Sequence, residues 1–237
     1  MPDLVTQPAE LAYAAPRYAN PAPLGLAAFG LTTVVLSAIN AGWLPPEAVP
    51  AVVPLAFAFG GLAQLVAGIC EFKTGNTFGM VAFTSYAMFW WWFALLQWSI
   101  GAGWLKAPPP AAGGFILLMW GIYTGLLWIV TFRLSKAVWS IFLLLTITFF
   151  LLALGDFHYS LGSLPFSRLG GLFGLLTGLD ALFVAFLEVL NATAPGRHLT
   201  RCAAEIVTSM KSNGAGIKPA PSVLKFVDSY LRPFTAS

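Results

Sequence analysis

The sequence predicts an all-α integral membrane protein with six transmembrane helices. Of its 237 residues, 58% are hydrophobic and only 9% charged, whereas a soluble domain carries about 25% charged residues to cover its water-facing surface. The apolar residues gather into runs of span length, broken by short polar or proline-marked stretches. Many of the 9 tryptophans fall near the ends of those runs, where interfacial belts place them.

Residues 1–19 read as a tail, with Arg17 but no apolar core leading to a cleavage site, so no cleavable signal is expected. From Leu24 to Trp43 there are 20 residues without an acid or a base. At ~1.5 Å per residue that is roughly 30 Å of helix, the thickness of a bilayer core. The stretch Asn20-Pro21-Ala22-Pro23-Leu24-Gly25-Leu26 opens this run. Asn20 suits a cap or turn, and Pro21 and Pro23 lack donors that a helix start leaves unpaired anyway.

After the Leu44-Pro45-Pro46-Glu47 turn, the second span is expected over 52–70, closed by Glu71-Phe72-Lys73. A charge-free stretch of 32 residues follows from Thr74 to Leu105. Its start, Thr74 to Gly79, reads as loop or broken helix, and the third span is placed over 78–100. Pro108-Pro109-Pro110 predicts an extended linker. The fourth span is expected over 113–132 and, past Arg133-Leu134-Ser135-Lys136, the fifth over 137–155. A polar loop from Asp156 to Arg168 leads to the sixth, over 170–190. The membrane domain thus covers 20–194, and residues 195–237 form a second tail.

With six spans, both tails and the loops after spans two and four share one side. They hold ten of the twelve basic residues, leaving Lys106 and Arg168 opposite. The positive-inside rule then makes both termini cytoplasmic, in a multi-pass protein of the inner or plasma membrane.

Glycines form the clearest packing signal. Gly170, Gly174 and Gly178 share one helix face, as do Gly121 and Gly125, while Gly60, Gly61 and Gly68 enrich span two. Small-residue faces let helices approach closely, within a chain or between subunits. Polar residues inside spans include Thr32, Thr33, Ser37, Asn40, Gln64, Thr84, Ser85, Tyr86, Gln97, Thr146, Thr148 and Thr177. Together they suggest a polar, uncharged path suited to a small polar solute rather than a metal cation. Asp180 near mid-span and Glu188 near the span end are candidates for a proton or oligomer role, against plain structural hydrogen bonding. Cys70 and Cys202 form no metal or disulfide spacing, and His158 and His198 fall on opposite sides. No hydrolase, metalloprotease or phosphate-binding motif is present. The chain reads as no enzyme, with no cofactor, no metal and no nucleic-acid partner.

The opening Asn20–Leu26 stretch resembles the N-terminal signature of the acetate uptake transporter family, which includes bacterial succinate–acetate permeases and fungal ammonia/acetate exporters. Gly60-Gly61-Leu62-Ala63-Gln64, the block from Glu71 to Gly79, and Phe83-Thr84-Ser85-Tyr86 are similar to its second block. Leu154-Gly155, Glu188-Val189-Leu190-Asn191 and Gly196-Arg197 are similar to later positions. The resemblance implies six helices per subunit and a homohexameric ring with one pore per protomer. It also implies passage of acetate and related small monocarboxylates, with succinate a further substrate, by channel or proton symport. A hydrophobic constriction is implied at Phe29, Tyr86 and Leu145, with Gln64 beside the pore and Asn40 and Thr84 further along it. Asp180 departs from the family pattern, and the tail beyond Thr200 is long for a bacterial member. Ammonium or another small solute, and a non-transporting scaffold or sensor, stand as alternatives.

Overall fold

The computed structural model describes residues 18–193, and six of its helices are long and apolar enough to cross a membrane. They are α1 (Ala22–Asn40), α2 (Pro46–Thr74), α3 (Thr77–Gly101), α4 (Pro110–Thr131), α5 (Lys136–Asp156) and α6 (Phe166–Thr193). The readings of Arg17, His198, Cys202 and the 195–237 tail lie outside the described residues.

Prolines set several helix starts. Pro21 precedes α1, whose second residue, Pro23, has no donor to leave unpaired. Pro109 is extended ahead of α4, which begins at Pro110 itself. The triple proline is therefore partly helical rather than a linker throughout, because a first-turn proline costs no hydrogen bond. α2 likewise starts at Pro46, ahead of the expected start at 52. The Thr74–Gly79 break is a single tight corner. Gly75, at φ 77°, ends α2 in the left-handed region, and Asn76 Oδ1 accepts from Gly79 N at 3.0 Å to cap α3. Between α5 and α6, the expected polar loop contains a two-residue antiparallel pairing of β1 (Ser160–Leu161) with β2 (Leu164–Pro165).

One feature of α2 has no hydropathy signal. Residues Ala56–Ala63 are wound as a π-helix, just after Pro54 inside the helix. Trp91 Nε1 donates to Phe57 O there at 3.0 Å. A Cβ on Gly60 would stand 2.7 Å from the Trp90 ring, and one on Gly61 would overlap Trp91. Widened turns of this kind are rare and favour functional sites.

The helices pack in the order α3–α2–α1–α6–α5–α4. The glycine faces serve contacts within the chain. A Cβ on Gly170 would meet Leu152 of α5, one on Gly174 would meet Ser37, and one on Gly178 would lie 2.7 Å from Gly30 O. The ring of helices closes between α3 and α4 through hydroxyls, Ser85 with Tyr123 at 2.8 Å and Tyr86 with Thr124 at 3.0 Å.

Candidate functional site

A cavity of about 670 Å³ enters the bundle at the end where α1, α3 and α5 begin and α2 and α6 finish. Asn20, Asn76, Arg133, Ser135, Glu188 and Asn191 line its mouth. The deepest lining residue on each of four helices is Phe29 of α1, Gln64 of α2, Tyr86 of α3 and Leu145 of α5. Helical rise puts these roughly 10–15 Å from the mouth.

At that depth the wall is an apolar ring. The Phe29 and Tyr86 ring centroids are 5.7 Å apart, and Tyr86 is 6.0 Å from Phe142. Phe29, Tyr86, Phe142 and Leu145 are all buried. Because the Tyr86 hydroxyl is engaged by Thr124, the ring rather than the oxygen takes part in these aromatic contacts. Phe142 is the residue that sequence reasoning missed. Its signal was its place three before Leu145, which sets both on one face of α5.

Beside the ring, Gln64 is 0% exposed, yet neither its Nε2 nor its Oε1 has a hydrogen-bond partner among the described residues. A buried primary amide without partners is costly unless something in the adjoining space supplies them. An amide that both donates and accepts is suited to a carboxyl group in either protonation state.

The mouth is polar. Asn20 Oδ1 accepts from Ala22 N at 3.0 Å, and its Nδ2 donates to Glu188 Oε2 at 3.1 Å. Asn20 thereby folds the chain into α1 and ties it to the end of α6. Among the described residues lining the cavity, Arg133 is the one cation and Glu188 the one acid.

Other predicted site residues lie elsewhere. Asn40 sits in the last turn of α1 against Gly171. Thr84 faces Gly68 and a second, lateral cavity between α3 and α4. Thr146 Oγ1 donates to Phe142 O at 2.7 Å, with its methyl toward Gly125. Asn40 lies at the far end of α1 from the cavity mouth, and for Thr84 and Thr146 the physical reason is the 3.6-residue turn. One or two positions from a cavity residue, a side chain points to a different face. Asp180 is also absent from the cavity wall and accepts from Ser140 Oγ at 2.7 Å on the α5–α6 contact. Of the opening motif, Asn20 lines the mouth. Gly25 packs against Phe83, whose ring lies 2.6 Å from where a Cβ would stand.

Residues 5–196 match the GPR1/FUN34/yaaH family. The chain belongs to that family. Within the GPR1/FUN34/yaaH proteins, it is 36% identical over 175 residues to the succinate-acetate/proton symporter SatP of Escherichia coli K12, covering 74% of this chain and 90% of the relative. It is 37% identical over 189 residues to acetate permease A of Emericella nidulans, covering 75% of this chain and 63% of that protein. Among solved structures, the bacterial acetate channel SatP superposes with a TM-score of 0.69 at 36% identity, covering 75% of this chain and 95% of the other.

Proposed function

We propose that this multi-pass membrane protein transports acetate and related small monocarboxylates through the cavity, past a constriction formed by Phe29, Tyr86 and Leu145. Family membership supports the substrate class. The observation that carries the reading is the cavity itself, a polar mouth leading to a buried amide beside an aromatic–aliphatic ring. Such a ring opposes hydrated ions by dewetting, yet a two-carbon acid presents it with a methyl group. Gln64 holds the carboxyl group at the ring. Succinate, with a second carboxyl to desolvate, crosses less readily. Ammonium has less behind it, because among the described residues lining the cavity none at the depth of the ring is an acid that could pair with a cation.

The assembly in this reading is a homohexameric ring in which each protomer carries its own pore. The excess of lysine and arginine on the side of the mouth supports cytoplasmic termini and a cytoplasmic mouth in the cell membrane.

The test is uptake of labelled acetate and lactate by the full chain in liposomes, corrected for protein-free vesicles. Leu145→Ala is expected to raise the lactate-to-acetate ratio about tenfold, a barrier change of ~1.4 kcal/mol. An unchanged ratio would remove Leu145 from the constriction. Wild-type protein that carries no acetate would remove the function.

A further inference from the structure

We infer that Glu188, flanked by Asn20 and Glu71, is the proton site of the cavity mouth, and that it hands a proton to acetate on its way to the apolar ring. The inference rests on the carboxylate-transport reading and adds a coupling residue to it.

Glu188 is the one acid among the described residues lining the cavity. The Asn20 amide has a fixed orientation there. Its oxygen is used by Ala22 N–H, so only its NH₂ is left to face Glu188. A donor aimed at a carboxylate stabilises the ionised form.

Glu71 works in the opposite sense. It is 1% exposed, its Oε2 accepts from Thr74 Oγ1 at 3.1 Å, and the Asn76 amide stands beside its carboxylate. Its Oε1 lies 3.0 Å from where a Cβ would stand on Gly79, which itself lines the cavity. Glu71 thus reaches the Gly79 wall of the cavity that Glu188 lines, and two carboxylates bordering one cavity resist ionising together. Among the described residues, the other titratable or charged groups at this end are Tyr18 ahead of α1, Cys70 and Lys73 on α2, and Arg133 and Lys136 around the start of α5. α1 and α3 bring only the amides of Asn20 and Asn76 to the mouth.

The chemistry follows from what stands deeper in. A carboxylate anion crossing the Phe29–Tyr86–Leu145 ring would shed its hydration with no counter-charge, whereas the neutral acid sheds far less. Arg133 attracts the anion to the mouth. There Glu188–CO₂H and CH₃CO₂⁻ become Glu188–CO₂⁻ and CH₃CO₂H, and a proton from the aqueous mouth restores Glu188. One proton accompanies each acetate, and no net charge crosses.

The experiment is the pH profile of acetate uptake by the reconstituted full chain at fixed acetate-anion concentration, for wild type and three variants. Glu188→Gln is expected to flatten the profile. Asn20→Ala, which removes the donor, is expected to move the half-maximal pH up, and Glu71→Gln, which removes the like charge, to move it down, each by about one unit. Opposite displacements are not produced by a clasp that only holds helices together. Three variants that lower uptake while keeping the wild-type half-maximal pH would overturn the inference. So would an unmoved half-maximal pH in Glu71→Gln alone, which leaves the Asn20–Glu188 bond in place and decides the matter if the others fail to assemble. Loss of uptake by the wild type itself would instead strike the transport reading.

Discussion

Gln64→Leu is expected to abolish acetate uptake and, at the same time, to make the purified protein harder to unfold. Leucine keeps close to the volume of the glutamine but carries no polar atoms. In the wild type both amide atoms are buried without a partner among the described residues, and an unsatisfied buried group costs about 1–3 kcal/mol. Removing them returns part of that to the folded state. The same change removes the amide that, unlike the Tyr86 hydroxyl, is not engaged by a neighbour among the described residues, so a carboxyl group arriving there loses its partner. Uptake should fall by more than about tenfold, which asks for only ~1.4 kcal/mol of lost stabilisation. The 9 tryptophans give a fluorescence signal for unfolding in detergent. Unchanged uptake with a higher midpoint would mean that Gln64 is a structural blemish only. A lower midpoint would mean that its partners are not in the cavity.

Gly178→Ala should destabilise the protein by about 1–3 kcal/mol, the range for overpacking, whereas Gly125→Ala should be neutral or mildly stabilising. The two substitutions add the same methyl group to the same kind of apolar helix. At Gly178 the new carbon would lie 2.7 Å from Gly30 O and 2.7 Å from Val34 Cγ2, and a backbone oxygen cannot rotate away. At Gly125 the nearest atom is Thr146 Cγ2 at 3.6 Å, ordinary contact, so the better helix propensity of alanine decides the sign. The Gly178 change also reaches the site, because Gly30 follows Phe29 in α1. Pushing α1 off α6 moves one wall of the ring, and acetate uptake should fall with stability. Thermal unfolding of the two variants side by side checks the contrast. Equal midpoints would show that the α1–α6 crossing yields more easily than its geometry implies.

Five charge-free runs and a sixth broken only by Asp180 and Glu188 are a direct physical statement about length and solvent, so the six helices were legible from composition. The Gly170–Gly174–Gly178 face was legible as a packing surface, because small residues at helical spacing have few other uses in lipid. Which helix it faced was not, since that depends on tertiary pairing. The same limit separates Gln64 from Thr84 and Thr146. All three are polar residues within apolar runs, but only the rotation of each helix decides which one looks inward. The Asn20–Glu188 bond joins positions 168 residues apart in sequence, and no local pattern announces it. The resemblance supplied Phe29, Tyr86 and Leu145 as a set. Phe142 escaped because a phenylalanine in an apolar run looks like any other lipid-facing residue until its neighbours are known.

The π-helical stretch of α2 has a consequence for what lengths of chain this protein tolerates. Each residue of an ordinary helix turns the chain by about 100°, so a wide turn behaves as one residue too many, inserted between Pro54 and Gln64. Everything after it, including Gln64 and Glu71, is rotated relative to the first half of the helix. Shortening Ala56–Ala63 by one residue would restore regular winding and still leave enough apolar chain to cross the bilayer. It would also swing the Gln64 amide away from the cavity and the Glu71 carboxylate away from Gly79. The number of residues in that segment is thus as much a part of the site as their identity.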